Sequence, residues 1–353
     1  MTALELSTEV AAAESCDRNG KHAEAVNLLV AGARKGDVEA TTRLGKRLLV
    51  GDRAPLLPND GAGLLEDAAR LGGAEAPALL AVLFALGVSR AHDLRAALES
   101  LALAAERGWS AAQQQLQALA CVANDDPRAP HVDAGRGVWR SAAQRVDLGA
   151  WQSAPAGTSL SDSPRVRSFP SLLAEPVCRW LIDKARGRLS RALVYEALIK
   201  RTTVHHTRTN SAAMFNILDT DLVCVLTQHR MAASLGVPLR HFEPMTVLHY
   251  DEGERITEHF DFVDPNVPGY DQEIQRGQRI ATFLVYLNED YEAGETEFVR
   301  LGISHKGRGG EGLYFVNALA DGSADVRTLH AGRPPTAGEK WIVSQFVRNR
   351  PAF

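Results

Sequence analysis

A repeat with a period of 36 residues is the feature of this sequence that most restricts its fold. Three similar segments, ARKGDVEA, ARLGGAEA and AERGWSAA, begin at Ala33, Ala69 and Ala105. A fixed period in the thirties with recurring small residues is typical of helix pairs stacked into a solenoid, where alanine and glycine let backbones approach. The flanking stretches, such as EAVNLLVAGA, carry apolar residues at helical spacing. The first third of the chain is therefore predicted to be an all-α solenoid.

The helical pattern fades near Cys121, and a different texture begins near Pro164. Between them, stretches rich in Asp, Pro and Gly surround one short helical segment, VWRSAAQRVD. We therefore predict three parts, namely a helical repeat domain at 1–125, a linker and domain junction at 126–163, and a second domain at 164–353.

The second domain combines two helix-like segments with many short strands. The strand-like segments are rich in Val, Ile, Tyr, Phe and Thr and are separated by turns of Gly, Asp, Asn and Pro. They include RITEHFDFV, QRIATFLVYLN, DVRTLHA and KWIVSQFVR. Seven or eight such strands indicate a sandwich or jelly roll.

Composition excludes several classes of protein. The formal net charge of -4 and the lack of a long Lys/Arg run argue against a nucleic-acid partner. The sequence has no basic segment before an apolar core at its N-terminus and no apolar stretch long enough to cross a membrane, so we expect neither a signal peptide nor a membrane. Scattered cysteines without a CxxC pair indicate reduced thiols, and we expect a cytoplasmic protein. They are Cys16, Cys121, Cys178 and Cys224.

One strand-like segment carries a candidate metal site. On an extended chain His259 and Asp261 would share one face and could hold one ion together, while Phe260 and Phe262 would take the other face and could pack into a core.

A second His-x-Asp does not share that setting. His131 and Asp133 lie among Asp, Pro and Gly, with no alternating apolar residues to hold both side chains on one face. This pair is predicted not to bind a metal.

A metal that must also bind a co-substrate and dioxygen needs few protein ligands. Two imidazoles and one carboxylate leave three positions open. His330, 69 residues beyond Asp261, is the candidate for the second imidazole, and Lys340 follows ten residues later.

With these residues in place, the segment 164–350 resembles the prolyl 4-hydroxylase branch of the iron(II) and 2-oxoglutarate dependent dioxygenases. The resemblance rests on ordered motifs, namely Tyr250 nine residues before His259, then HFD, RIATFLVYLN, GETEF, LHAG and GEKW. The repeats at 20–120 resemble the Sel1-like branch of the tetratricopeptide repeats. Together these imply a multidomain chain with a helical solenoid followed by a double-stranded β-helix (jelly roll) with flanking helices.

The oxygenase resemblance also implies roles for particular residues. By resemblance, Fe(II) would be bound by His259, Asp261 and His330. Lys340 would pair with the distal carboxylate of 2-oxoglutarate, and Tyr250 and Thr296 would add hydrogen bonds to that co-substrate.

On the substrate side, the resemblance implies roles for Arg208, Glu243 and Arg279. The chain departs from the family pattern nearby, because Asn210 replaces a serine. In SQFVRNR, Phe346 and Arg348 stand where many members have a tryptophan and then a histidine, so the wall of the substrate pocket is expected to differ.

The function that the resemblance implies is hydroxylation with Fe(II), 2-oxoglutarate and O2, with ascorbate as reductant. The first hypothesis for the substrate is a prolyl residue of a peptide or protein recruited by the repeats. The alternatives are a small molecule, such as a free amino acid or natural-product intermediate, and a catalytically dead binding scaffold. The intact ligand set and Lys340 argue against the scaffold.

Overall fold

The computed structural model describes residues 7–120, 137–192, 194–196, 201–203, 207–267, 270–319 and 321–352. The pair His131 and Asp133 lies outside these described residues. The chain divides into two compact units. The first combines the N-terminal helices with Ile217–Val225, and the second runs from Gly149 to Asn216 and from Leu226 onward.

The first unit is built from consecutive helices. They are α1 (Thr8–Arg18), α2 (His22–Arg34), α3 (Val38–Val50), α4 (Pro58–Arg70), α5 (Glu75–Leu86), α6 (Leu94–Glu106), α7 (Ser110–Ala120) and α8 (Val138–Gln144), followed by the short α9 (Leu148–Trp151) at the division between the units. The helices α2, α4 and α6 begin at His22, Pro58 and Leu94, each 36 residues after the last. The predicted repeat of helix pairs is thus confirmed.

Small residues let these helices approach, as the sequence predicts. Gly61 of α4 faces the backbone of α3, and a Cβ placed on it would lie 2.6 Å from the backbone nitrogen of Leu49. Ala62 and Leu65 on the same helix are fully buried. Asp37 caps α3 by accepting hydrogen bonds from the backbone N–H groups of its first turn.

Among the residues that the structure describes, the second unit contains three α-helices and all of the strands. The helices are α10 (Glu175–Arg186), α11 (Leu222–Leu235), which begins in the segment grouped with the first unit, and α12 (Asp271–Gln275). The strands are β1 (Thr158–Asp162), β2 (Arg165–Phe169), β3 (Ser190–Arg191), β4 (Val194–Glu196), β5 (Arg201–Thr203), β6 (Ser211–Met214), β7 (Thr246–Tyr250), β8 (Ile256–His259), β9 (Arg279–Tyr286), β10 (Glu292–Ala293), β11 (Thr296–Phe298), β12 (Ile303–His305), β13 (Gly312–Val316), β14 (His330–Gly332), β15 (Pro335–Ala337) and β16 (Lys340–Arg348).

Two antiparallel sheets form the core of this unit. The larger has eight strands in the order β1-β2-β13-β9-β16-β7-β6-β3, and the smaller has four in the order β12-β11-β14-β8. One apolar cluster joins them, with Leu284, Phe315 and Ile342 from the larger sheet and Phe298 from the smaller. Two sheets sharing one core are the predicted jelly roll.

The strands that carry the candidate ligands differ from their predicted bounds. The segment RITEHFDFV is a strand only to His259, so Asp261 lies just beyond the strand. Phe260 and Phe262 are half-buried and stack on each other with ring centroids 4.7 Å apart, instead of entering the core. In DVRTLHA the strand begins at His330, after a short 3₁₀ turn.

The segment 126–163, expected to be a linker, is shared between the units in its described part. Helix α8 belongs to the first unit, whereas β1 forms the edge of the eight-stranded sheet. Among the helices described, none combines the length and apolar character that crossing a bilayer requires.

Candidate active site

Neighbouring strands of the smaller sheet bring three ligand side chains together. His330 at the start of β14 pairs in register with His259 at the end of β8. Asp261 lies with Oδ1 3.5 Å from Nε2 of His259 and Oδ2 3.5 Å from Nε2 of His330. All three ligand atoms lie within 4.8 Å of one another. The structure therefore gathers the predicted triad at one point, although 69 residues separate Asp261 from His330.

Both imidazoles are oriented by backbone carbonyls. Nδ1 of His259 lies 2.8 Å from the carbonyl oxygen of Thr257, and Nδ1 of His330 lies 3.0 Å from that of Thr328. A carbonyl can only accept, so each Nδ1 carries a proton, and the lone pair of the neutral ring then lies on Nε2. Tying Nδ1 in this way is the usual arrangement for a histidine that binds a metal through Nε2.

The charge states suit a cation. Burial would raise the pKa of Asp261, but the imidazoles of His330 and His259 and the Thr282 hydroxyl together lower that pKa well below its usual value. Burial, and then the neighbouring His259, lower the pKa of His330 to about 4. The site thus holds an ionised carboxylate and a neutral imidazole, the forms that bind metals.

Lys340 is a buried cation near this triad in the fold. It begins β16, pairs in register with Tyr250 of β7 and is only 1% exposed. Its ammonium donates to the carbonyl oxygen of Gly294 at 2.8 Å and lies 5.1 Å from the centre of the Tyr250 ring. No ion pair involves Lys340 among the described residues, and burial lowers its pKa to about 7. A buried ammonium without a carboxylate partner fits an anionic ligand.

Thr296 and Tyr250, the other residues predicted to bind the co-substrate, lie on strands next to those of His330 and Lys340. Thr296 on β11 is buried and pairs with Gly332, two residues beyond His330. A Cβ placed on Gly332 would lie 3.4 Å from the Tyr250 hydroxyl, which is also buried. Tyr250 is thus next to Lys340 in the strand register and close to Gly332, and Thr296 pairs with the same Gly332 on the strand of His330.

Two inward residues of β9 belong to the site but are missing from the sequence-based candidates. The Tyr286 hydroxyl donates to Oγ1 of Thr296 at 2.8 Å, and the Thr282 hydroxyl donates to Oδ2 of Asp261 at 2.7 Å. Alternation along RIATFLVYLN could have revealed them, because Thr282, Leu284 and Tyr286 must share a face.

The three residues expected to contact substrate do not form one cluster. Arg279 forms a two-bond ion pair with Glu243 at 2.8 and 3.0 Å, and its guanidinium lies 3.8 Å from the Phe346 ring centre. Glu243 also accepts from the buried Arg348 at 2.6 Å, so two arginines already bind its carboxylate. Arg208 donates instead to Oδ1 of Asn210 and bridges to Ile256 of β8.

A second group of possible ligands is already satisfied by ion pairs. His249, Asp251 and Glu254 place ligand atoms within 4.8 Å of one another. However, Nε2 of His249 lies 3.3 Å from Glu339, and Glu254 accepts from Arg191 at 2.7 Å. His249 and Glu254 are therefore already engaged with other side chains of the protein.

Comparison with known proteins agrees with this chemistry. Residues 245–348 match the model of the 2OG-Fe(II) oxygenase superfamily. A probable prolyl 4-hydroxylase 9 of Arabidopsis thaliana is 29% identical over 210 residues, which cover 54% of this chain and 71% of that protein. The prolyl 4-hydroxylase subunit alpha-1 of Rattus norvegicus is 28% identical over 189 residues, which cover 54% of this chain but only 35% of that protein.

Among solved structures, a viral collagen prolyl hydroxylase from Paramecium bursaria Chlorella virus-1, solved as its 2OG complex, is 25% identical with a TM-score of 0.41. The match covers 54% of this chain and 98% of that chain. The matched superfamily uses Fe(II), 2-oxoglutarate and O2. The family match at residues 245–348 and the sequence relatives identify a 2OG-Fe(II) oxygenase superfamily domain similar to the prolyl 4-hydroxylases, and the chain is a 2-oxoglutarate-dependent dioxygenase.

Proposed function

We propose that His259, Asp261 and His330 hold the Fe(II) ion. The observation that carries this proposal is the meeting of three ligand atoms within 4.8 Å, with both Nδ1 atoms tied to backbone carbonyls. Two imidazole nitrogens and one carboxylate leave open positions for a co-substrate and dioxygen. The donor set thus fits Fe(II).

We further propose that Lys340 binds the distal carboxylate of 2-oxoglutarate. Its ammonium has the charge and the burial for this role, and the Thr296 hydroxyl, held by Tyr286, can add a hydrogen bond. Tyr250, whose ring centre lies 5.1 Å from the Lys340 ammonium, contributes its hydroxyl. Binding of the distal carboxylate by Lys340 would leave the keto acid end free to bind the metal.

When bound, Fe(II) and 2-oxoglutarate supply the activation of dioxygen and the oxidation of a C–H bond. The chain's own residues bind, orient and exclude water. The apolar cluster shared by the two sheets includes Tyr250 and Tyr286, whose rings lie beside Lys340, and this low-dielectric setting strengthens the attraction between Lys340 and a carboxylate.

The proposed reaction is hydroxylation of a prolyl residue in a peptide or protein. The names of the relatives support this substrate, and Arg279, Glu243 and Arg208 are the proposed contacts. Arg348 and Arg279 both donate to the carboxylate of Glu243. In the Glu243–Arg279 ion pair it is therefore Arg279 that has an N–H group left for a substrate carbonyl.

Recruitment of a protein substrate is assigned to a groove of the helical unit. The groove has a volume of about 650 Å³ and combines apolar residues with charged ones at its rim. Val30, Leu44 and Leu64 are among its apolar residues, and Leu71, 48% exposed, lies at its edge. Such a surface suits a peptide with apolar side chains.

The central experiment supplies Fe(II), 2-oxoglutarate and ascorbate under air, together with proline-containing peptides or a small amino acid. We expect succinate release and a peptide that gains the mass of one oxygen atom on proline. Modification of the free amino acid alone would support the small-molecule alternative. Failure of a folded, metal-loaded protein to consume 2-oxoglutarate with any of these substrates would end the proposal.

The groove is tested with matched surface variants. Leu71→Asp should slow turnover of a protein substrate but not of a short peptide, whereas Leu56→Asp, at a 64% exposed leucine outside the groove, should change neither. Equal turnover of the protein substrate by both variants would rule out recruitment at this groove.

The cytoplasmic location stays a prediction. The thiols of Cys16 and Cys178, which form no disulfide among the described residues, support a reducing compartment.

A further inference from the structure

The carboxylate of Asp261 is held from behind by a short chain of buried side chains. The Thr282 hydroxyl lies 2.7 Å from Oδ2 of Asp261, and Nδ2 of Asn317 lies 2.9 Å from the Thr282 oxygen. Thr282 is 1% exposed and Asn317 is fully buried. We propose that Thr282 and Asn317 are positioning residues that keep Oδ2 engaged, so that Asp261 presents Oδ1 to the metal. This inference rests on the metal site proposed above.

The direction of each hydrogen bond follows from the chemistry of the groups. The ionised carboxylate can only accept, so the single hydroxyl proton of Thr282 must point to Asp261. The Thr282 oxygen then has only lone pairs left, and it needs a donor. The Asn317 amide supplies that donor through Nδ2, which prevents the hydroxyl from turning its proton elsewhere.

Asn317 and Thr282 form a hydrogen-bonded relay to Asp261, and the backbone fixes both of them. Thr282 lies in the middle of β9 and pairs with Phe315 of β13 on one side and Phe346 of β16 on the other. The backbone N–H of Asn317 donates to Ile280 at 2.8 Å, and its carbonyl oxygen accepts from Asp325 at 2.8 Å. Neither residue can follow Asp261 if the carboxylate rotates.

The need for such a relay comes from the position of Asp261. It lies beyond the end of β8, so no strand pairing fixes its side chain. The two histidines have their own backbone acceptors, and Thr282 performs the equivalent task for the carboxylate. Side chains that orient metal ligands typically change metal affinity by about 10- to 100-fold when removed.

The test uses Mn²⁺, which needs no anaerobic handling, as a probe of the metal site. Binding is measured by calorimetry and by the electron paramagnetic resonance spectrum of the bound ion. Thr282→Val, which keeps the shape but loses the hydroxyl, should bind Mn²⁺ about tenfold more weakly and with an altered spectrum. Thr282→Ser, which restores the hydroxyl, should recover wild-type binding and spectrum.

Two further variants complete the design. Asn317→Leu should weaken Mn²⁺ binding by a smaller factor, because the Thr282 hydroxyl loses its fixed direction but keeps its proton. Thr227→Val is the matched control, since Thr227 is another fully buried threonine of the second unit, and it should bind like the wild type.

Wild-type affinity and spectrum in Thr282→Val, or equal loss in Thr282→Ser, would overturn the relay. If Thr282→Val does not fold, wild-type binding by Asn317→Leu would overturn it. A wild-type protein and Thr227→Val control that both bind no Mn²⁺ would instead contradict the proposed metal site, so the two failures are distinguishable.

Discussion

At the scale of single residues, the most unusual group is the ammonium of Lys340. It is buried between the rings of Tyr250 and Tyr286, and its hydrogen-bond acceptor is the uncharged carbonyl of Gly294. Burial lowers its pKa from the ordinary 10.5 to about 7. An anionic ligand would reverse this effect, because a carboxylate beside the ammonium favours the charged form.

The pH dependence of 2-oxoglutarate binding should follow from this titration. The dicarboxylate binds the protonated lysine, so affinity should be constant below pH 7 and should weaken up to about tenfold per pH unit above it. Because the folded-state pKa is depressed, the same group should make the ligand-free protein more stable as pH rises from 7 toward 10.5. Calorimetric titration between pH 6 and 9 measures the affinity, and differential scanning calorimetry measures the stability.

Lys340→Arg is the matched control for this prediction. A guanidinium stays charged throughout the range, so whatever affinity the variant keeps should not change between pH 7 and 9. A wild-type affinity that does not vary over this range, or a variant that shows the same decline, would contradict the role given to Lys340.

The sequence predicts residues whose chemistry is rare and misses those whose chemistry is common. His259, Asp261 and His330 stand out because two imidazoles and one carboxylate form a ligand set typical of a metal site. Thr282 and Tyr286 resemble ordinary strand residues, and their roles appear only when the fold shows which hydroxyl faces which acceptor.

At the scale of secondary-structure elements, the close contact between α3 and α4 depends on one glycine. A Cβ on Gly61 would lie 2.6 Å from the backbone nitrogen of Leu49 and 2.7 Å from the carbonyl oxygen of Gly45. Backbone atoms cannot move aside as the end of a flexible side chain can. The two helices would have to separate, and the packing of Leu65 between them would loosen.

Gly61→Ala should therefore destabilise the helical unit by about 1–3 kcal/mol, the usual range for overpacking. Gly63→Ala on the same helix is the matched control, since its Cβ would approach nothing closer than Arg90, at 4.0 Å. That variant should be unchanged or more stable by about 0.5–1 kcal/mol, because alanine favours the helix. Thermal unfolding followed by circular dichroism compares them, and an equal response in both would refute the packing account.

Element type was easier to predict than element ends. The 36-residue period correctly gave the helix pairs, since three repeats reinforce one pattern. The predicted end of β8 and the predicted start of β14 were wrong. Alternation in the sequence continues past His259 and begins before His330, whereas the strands end and begin at these residues. The hydrogen bonds of neighbouring strands decide such ends, and one segment alone does not show them.

At the scale of the whole molecule, the division into units does not follow the order of the sequence. Ile217–Val225 groups with the helical unit although strands of the second unit precede and follow it. Ile217 and Leu218 pack against the cluster that contains Leu65 and Leu80. The buried side-chain oxygen of Gln115 accepts from the backbone N–H of Leu222 at 3.1 Å. The sequence could not reveal this, because such packing joins residues more than a hundred positions apart.

Deletion of 1–125 should therefore do more than remove a recruiting surface. It would expose Ile217 and Leu218 and leave the Leu222 amide without its partner, so we expect a lower unfolding temperature and aggregation. Thermal unfolding and size-exclusion chromatography check this. A monomeric truncated chain that unfolds at the same temperature as the full chain would show that the segment is stable without those helices, and truncation could then replace the groove variants as a test of recruitment.

The central claim is that three side chains hold Fe(II) beside a lysine that holds 2-oxoglutarate. Its most direct test is an anaerobic titration of the purified chain with Fe(II) and then 2-oxoglutarate, followed by visible absorption. We predict one Fe(II) per chain and a charge-transfer band when 2-oxoglutarate is added. Iron binding should be lost in His330→Ala and retained in Lys340→Met, whose band should need far more 2-oxoglutarate. A folded wild-type chain that binds no iron, or a His330→Ala chain that binds it equally well, would contradict the claim.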